Sequence, residues 1–349
     1  MKALTIHGRQ QIHYESIPDP EILLPTDVLV KVSACAICGS DLHVYHDIEK
    51  GIDAGTAMGH EFTGEIVELG TEVKIFHVGD RVMSPFTTNC GRCFYCRMGL
   101  TCRCEKSQLF GWVEKEKGLQ GGQAEYVRVP LAESTLMKIP DGISWEEGLL
   151  LGDVLSTGFF CAQQAEINPK GVYAVIGLGP VGLMTVLGAR EAGAENIFAL
   201  DSIPERLAMA KQFGANVIDI SNAYPMEIIR EVTEGRGADG VMEAVGTGSA
   251  VRLAIELVRP GGIISSVGVC NDHHLAFSPV EAYNKNLTYK IGRCPARNMM
   301  DKLVPMVLKK KYPITSIFTH SMKLSEGVQG YDIFANKKDH CLKVLLQPD

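Results

Sequence analysis

From Met1 to about Asp141 the apolar positions fall in short runs broken by Gly- and Pro-bearing segments: VLVKVSA (28–34), FTGEIVEL (62–69), DRVMS (80–84) and AEYVRVP (124–130). Runs of this length bounded by turn residues predict strands, so this part reads as mostly β with longer loops. From about Trp145 the period changes. VYAVIGL (172–178) reads as a buried strand, VGLMTVLGAREAG (181–193) as a helix, NIFALD (196–201) as a strand and ERLAMAKQFGA (205–215) as a second helix. The alternation continues through GVMEAV (240–245), AVRLAIELV (250–258) and GIISSVGV (262–269). Strand and helix in this order are expected of a doubly wound parallel sheet, and the fold class is therefore α/β. The mixed composition after about Arg293 assigns that tail to neither domain.

Composition narrows the function classes. A chain of 349 residues is long for one core and predicts two domains. Hydrophobic content of 46% and charged content of 21% describe a globular protein without low-complexity tracts. The net charge of −7 argues against a nucleic-acid partner, because phosphate binding needs a basic face; the one basic run, Lys309-Lys310-Lys311, reads as a solvated helix end. The opening MKALTIHGRQ lacks the apolar core of a signal peptide and no stretch approaches a membrane span, so a cytoplasmic location with no membrane partner is expected. Eleven cysteines then read as metal ligands and free thiols rather than a disulfide framework.

Between the first strand and helix of the second domain lies Gly177-Leu178-Gly179-Pro180-Val181-Gly182. In this G-x-G-x-x-G the first glycine makes the tight turn, the second admits a pyrophosphate against the backbone, and the third lets the helix pack closely. The next strand ends in Asp201, nineteen residues after Gly182, where a carboxylate accepts the ribose hydroxyls of NAD and repels the extra phosphate of NADP. Arg206 is the competing feature, able to serve an NADP phosphate or to sit on a helix face.

Five cysteines crowd NCGRCFYCRMGLTCRC (89–104). Cys90, Cys93 and Cys96 with either Cys102 or Cys104 can close a tetrahedral four-sulfur shell, which is a structural zinc site. Chemistry then needs another centre. Cys38, His60, Glu61 and Asp153 offer sulfur, imidazole and carboxylate, the mixed donors of a zinc site with an open position. The spacing of Cys35 and Cys38 fits a redox C-x-x-C pair equally well.

CGSDLH, GHEFTGEIVELG, GDRV, the cysteine lobe, GGQAEYVRVP, GLGPVGL and the late RPGG, in that order, resemble the zinc-dependent medium-chain alcohol dehydrogenases over nearly the whole chain. GGQAEYVRVP and the aspartate of GDVLSTGF resemble in particular the branch with formaldehyde-dehydrogenase-like and bacterial secondary alcohol dehydrogenases. The resemblance implies a GroES-like catalytic domain over 1–150 with its zinc lobe at 89–104, a Rossmann NAD domain over 151–292, and a segment 293–349 that returns to the catalytic domain. It implies two zinc ions per chain. Cys38, His60 and Asp153 hold the catalytic one, Glu61 is an exchanging or neighbouring carboxylate, and Cys104 rather than Cys102 completes the structural shell. By position Val267, Val269 and Arg293 flank the nicotinamide and Lys343 meets the pyrophosphate; strand packing and surface charge are the ordinary alternatives. Two departures stand out: Gly152 replaces the serine usual before the aspartate, and the longer insertion of formaldehyde-acting members is missing.

The activity expected is reversible hydride transfer between a primary or secondary alcohol and NAD. Ser40, two residues after Cys38, and His43, one helical turn further, form a proton relay, with helix capping by Ser40 as the alternative. Trp112, Phe110 and Phe159 are candidate pocket or core aromatics. A polyol or amino-alcohol dehydrogenase is the first rival reading and a nucleotide-binding thiol redox sensor the second. A homotetramer or dimer is expected, with small alcohols, aldehydes or ketones as the other partners.

Overall fold

The computed structural model describes residues Met1–Asp349 and divides into two compact units, Met1–Ser156 with Pro295–Asp349, and Thr157–Cys294. In the first, the strand Val28–Ala36 is the spine. Phe62–Leu69 pairs along it, Tyr126–Val129 pairs with its first half, and Lys343–Gln347 pairs with its end through Leu345 and Leu346. Val28, Val30, Val32 and Cys35 enter one apolar cluster and Ala34 and Ala36 pack in another with Leu149, which is why VLVKVSACA reads as an almost unbroken apolar run rather than an alternating one. Its core includes Val28, Val30, Val32, Phe62, Ile66, Val129, Tyr331, Val344 and Leu346. Residues of the C-terminal tail thus complete the core of the N-terminal sheet. A separate hairpin, Lys2–Ile6 with Ile12–Ser16, pairs on its other side with Thr56–Ala57.

The second unit is a six-stranded parallel sheet. Its spatial order is Asn216–Asp219, Asn196–Asp201, Val172–Ile176, Ala238–Glu243, Val258–Ser266, Thr288–Ile291, the doubly wound order with its switch between the third and fourth of these strands. Every residue of Val172–Ile176 is buried, as expected of a central parallel strand. The helices Pro180–Glu191, Pro204–Gln212 and Pro225–Val232 each begin on proline, whose fixed φ suits a first helical turn. The helix predicted over 205–215 stops at Gln212, and the strand predicted to 269 stops at Ser266. Asn216–Asp219 and Thr288–Ile291 escaped the sequence pattern because they are short, half-exposed edge strands without an apolar run. No helix is long and apolar enough to cross a membrane.

Candidate metal centres and cofactor turn

Pairing of Cys35 with Phe62 brings the end of one strand beside the start of the next, so Cys38 meets His60 and Glu61. Asp153 arrives from the C-terminus of the helix Trp145–Gly152, whose start is fixed by a Ser144–Glu147 capping box. The preceding residue has no room for a side chain: a Cβ on Gly152 would lie 2.1 Å from the Ser84 carbonyl oxygen. A serine, frequent at this place in the branch the sequence resembles, would therefore force the Ser84 carbonyl or the helix end to shift.

Cys38 Sγ lies 3.6 Å and His60 Nε2 3.3 Å from Asp153 Oδ2. Zinc bonds of about 2.0–2.3 Å at tetrahedral angles separate neighbouring donors by roughly 3.3–3.8 Å, so both separations to Asp153 fit zinc. Electrostatics agree. Burial, then the Glu61 and Asp153 carboxylates, push the Cys38 thiol up. Burial disfavours charge on His60, yet the Asp41 carboxylate and Cys38 outweigh it and hold the imidazole well above its ordinary value. Burial also works against ionised Asp153, but its hydrogen bond with His60 brings it down to about 2. The pocket gathers more negative charge than its side chains neutralise, and a divalent cation answers that need.

Asp41, which the sequence reading passed over, completes the arrangement. Its Oδ1 is 3.2 Å from His60 Nδ1, while Oδ2 accepts the Cys38 N–H at 2.9 Å and the Gln123 side-chain amide at 3.1 Å. Gln123 in turn accepts the Tyr331 hydroxyl at 2.8 Å. A carboxylate behind a ligating histidine fixes its tautomer and ring plane. The signal was present in CGSDLH, where the aspartate follows the candidate ligand by three residues.

Ser40 stands at the cap position just before the short helix Asp41–Tyr45, but its side chain makes no capping bond; its Oγ is instead 3.3 Å from His60 Nε2. His43 is on that helix, partly exposed, with Nδ1 3.8 Å from Glu49 Oε1. Lys343 requires a correction. Rather than facing solvent for a pyrophosphate, it is 1% exposed, with Nζ 2.7 Å from Glu61 Oε2 and 3.3 Å from the Ile37 carbonyl oxygen. A buried ammonium must find an anion, and Glu61 is the one that strand pairing supplies. Burial raises Glu61 to about 7 against the pull of Lys343. Phe110 is likewise core rather than pocket, edge-on to Phe62 at 5.0 Å, whereas Phe86 stands edge-on to His60 at 6.5 Å. Cys35 is fully buried in the apolar core, which raises its thiol, the opposite of a reactive redox thiolate.

In the lobe the sulfurs of Cys90, Cys93, Cys96 and Cys104 lie within 4.8 Å of one another, while buried Cys102 stands outside the group. Backbone N–H groups point at them: Cys90 N–H donates to Cys104 Sγ at 3.2 Å, Lys106 N–H to the same sulfur at 3.3 Å, and Cys93 N–H to Cys90 Sγ at 3.4 Å. Backbone donors draw Cys93 down to about 6, whereas burial and the neighbouring thiols push Cys96 up to about 12. Four sulfurs this close cannot all ionise without a cation among them, and the all-sulfur set leaves no open position.

In the second unit Gly177 has φ +83°, and a Cβ on Gly182 would fall 1.8 Å from the Gly177 carbonyl oxygen. Only glycines permit this turn. Asp201 accepts the N–H of Leu178 at 2.7 Å from within the turn and those of Ser202 and Ile203 at 2.7 and 3.0 Å. Arg206 Nη1 is 3.6 Å from Asp201, and its Nε is buried without a hydrogen-bond partner. An unused buried donor beside an acidic residue and a glycine cradle fits a dinucleotide whose ribose and phosphates fill the space. Gly179, Pro180 and Val181 open the helix Pro180–Glu191 at this turn. Val267 and Val269 run past Gly246 at the same end of the sheet, and Val269 and Arg293 are exposed. Phe159 belongs to the helix Val154–Gln164 and is buried.

Comparison with known proteins places the chain in one family. Residues 24–141 match the family of alcohol dehydrogenase GroES-like domains, and residues 180–309 match the zinc-binding dehydrogenases. A zinc-type alcohol dehydrogenase B of Aspergillus flavus is 41% identical over 96% of this chain and 78% of its own length. A sorbitol dehydrogenase of Bacillus subtilis is 32% identical over 100% of this chain and 98% of its own. Among solved structures, the alcohol dehydrogenase TADH from Thermus sp. ATN1 superposes with a TM-score of 0.94 at 36% identity, covering 100% of both chains.

Proposed function

Because this chain belongs to the zinc-dependent medium-chain alcohol dehydrogenases, we propose that it transfers a hydride reversibly between a primary or secondary alcohol and NAD. The observation that carries this reading is the Cys38–His60–Asp153 donor set with Asp41 behind its histidine. Zinc held by that set supplies Lewis acidity that lowers the pKa of an alcohol, and NAD held at the glycine turn supplies the hydride acceptor.

The side chains do the rest. Asp41 holds His60 Nδ1 and leaves Nε2 facing Asp153 and Ser40. Ser40 Oγ, beside the donor set, takes the alcohol proton and passes its own toward His43, which is partly open to water. The Glu49 carboxylate stands ready to stabilise the imidazolium that forms. Glu61, balanced by Lys343, supplies a further carboxylate within reach of the donor set. The Cys90–Cys93–Cys96–Cys104 site is structural and contributes folding free energy rather than chemistry. At the cofactor turn, the Asp201 carboxylate favours the ribose hydroxyls of NAD over the phosphate of NADP.

The test combines zinc analysis with spectrophotometric assays of primary, secondary and polyol substrates using NAD and NADP. Turnover with simple alcohols and NAD, abolished in a folded Asp153→Ala variant, is expected. Folded Asp153→Ala protein with full turnover, or zinc-replete protein that reduces neither dinucleotide with any alcohol, overturns the reading. The full-length similarity to a sorbitol dehydrogenase favours a polyol substrate as the second reading, and the same panel separates the two.

A further inference from the structure

The N-terminal hairpin carries a third group of metal donors, remote in sequence from both zinc sites. His13 lies opposite Thr5 in the register and Glu15 opposite Ala3, while His7 N–H donates to the Gln11 carbonyl oxygen at 2.9 Å where the hairpin turns. Residues facing one another across antiparallel strands, and those two further along, share a face. Thr5, His7, His13 and Glu15 therefore project together, while Leu4, Ile6 and Ile12 on the other face enter the core.

One donor atom from each of His7, His13 and Glu15 lies within 4.8 Å of the other two. His7 Nε2 is 2.6 Å from Glu15 Oε1, and the two imidazole rings stack at 4.5 Å with planes 22° apart. Each ring offers a nitrogen donor on this face, beside the Glu15 carboxylate. Thr5, fully buried beneath them, places its hydroxyl 3.2 Å from His7 Nε2 and donates to Glu15 Oε1, holding both side chains on the ligand face. His13 is exposed, and the side chains of His7 and Glu15 are 31% and 37% exposed, so an ion reaches the group directly from solvent.

We propose that His7, His13 and Glu15 form a surface site for a divalent transition-metal ion such as Zn2+, Ni2+ or Cu2+. Two imidazoles and one carboxylate are the donors these ions favour, and three protein ligands leave the remaining positions to water. The ion exchanges freely, in contrast to zinc enclosed by four sulfurs. It cross-links the two strands of the hairpin. Because Thr5 pairs with Ala57 on the opposite side, the bound ion also braces the strand that runs into the ligand His60.

Calorimetric titration of untagged, zinc-replete protein with Ni2+ tests the assignment, with Cu2+ electron paramagnetic resonance as the structural readout. One added equivalent of Ni2+ is expected in the wild type, weakened at least tenfold in His13→Ala and in Glu15→Gln, with alcohol oxidation unchanged in both variants. The Cu2+ spectrum should show coupling to two nitrogens, falling to one in His13→Ala. No added equivalent at millimolar Ni2+, or unchanged binding in both variants, or two nitrogens retained in His13→Ala, overturns the proposal.

Discussion

Lys343→Met removes the positive member of a pair in which each side chain is 1% exposed and the charges are 2.7 Å apart. Methionine fills most of the vacated volume, so the change acts mainly through charge. Leaving one buried partner uncompensated costs about 3–5 kcal/mol. For a folding unit of 150–250 residues each kcal/mol moves the melting temperature by roughly 2–4 °C, so at pH 8 the zinc-replete variant should melt roughly 6–20 °C below the wild type. Glu61 can escape the penalty only by binding a proton. Its carboxyl stands at about 7 with Lys343 present and rises without it. In protein stripped of zinc, whose charge would otherwise keep Glu61 ionised, the wild type is ionised between those two values and the variant is not, so there the deficit grows as the pH is raised above about 7, by about 1.4 kcal/mol per unit. The double variant Glu61→Gln, Lys343→Met removes both charges and should recover at least half of the lost melting temperature. Scanning calorimetry of the four proteins of this cycle from pH 6 to 9, with zinc and after its removal, measures all three effects. Additive losses in the double variant would refute the pairing. A Lys343→Met protein with the wild-type melting temperature and a raised KM for NAD would return Lys343 to the pyrophosphate.

Gly152→Ser has to displace either the Ser84 carbonyl or the helix end that carries Asp153. It should cost about 1–3 kcal/mol and lower the zinc content, and full zinc occupancy in this variant would show that the site tolerates the shift. Cys93→Ser should lose about one zinc per chain and melt earlier while the surviving folded enzyme keeps its turnover; abolished turnover in folded, cofactor-bound protein would reverse the roles of the two centres. His43→Ala should slow alcohol oxidation on the order of tenfold or more near pH 7, with partial recovery at higher pH or with added imidazole, and Ser40→Ala should be slower still. An unchanged pH–rate profile removes His43 from the relay. Asp201→Ala should weaken NAD binding by about 1.5–3 kcal/mol and narrow the preference over NADP, as read by fluorescence titration; equal or tighter NAD binding places the ribose elsewhere.

Local features were legible from the chain because their physics is local. Cys90, Cys93 and Cys96 are spaced so that one tight loop presents them together, and Gly177 and Gly182 make a turn that no other residue accommodates between a strand and its helix. Steric rules and hydrogen bonds over a few residues decide both. The mixed donor set Cys38, His60, Glu61 and Asp153 was legible as chemistry, but its assembly rests on the pairing of Cys35 with Phe62 and on the packing of one helix end. The supporting contacts lay further out of reach. Lys343 is 282 positions from Glu61, Tyr331 is 208 from Gln123, and Gln123 is 82 from Asp41. As isolated residues in the sequence, a lysine, a tyrosine and a glutamine read as surface or core. Only the buried sheet, formed when Lys343–Gln347 adds to the end of Val28–Ala36, removes water from these groups and obliges each to find the partner that packing places beside it.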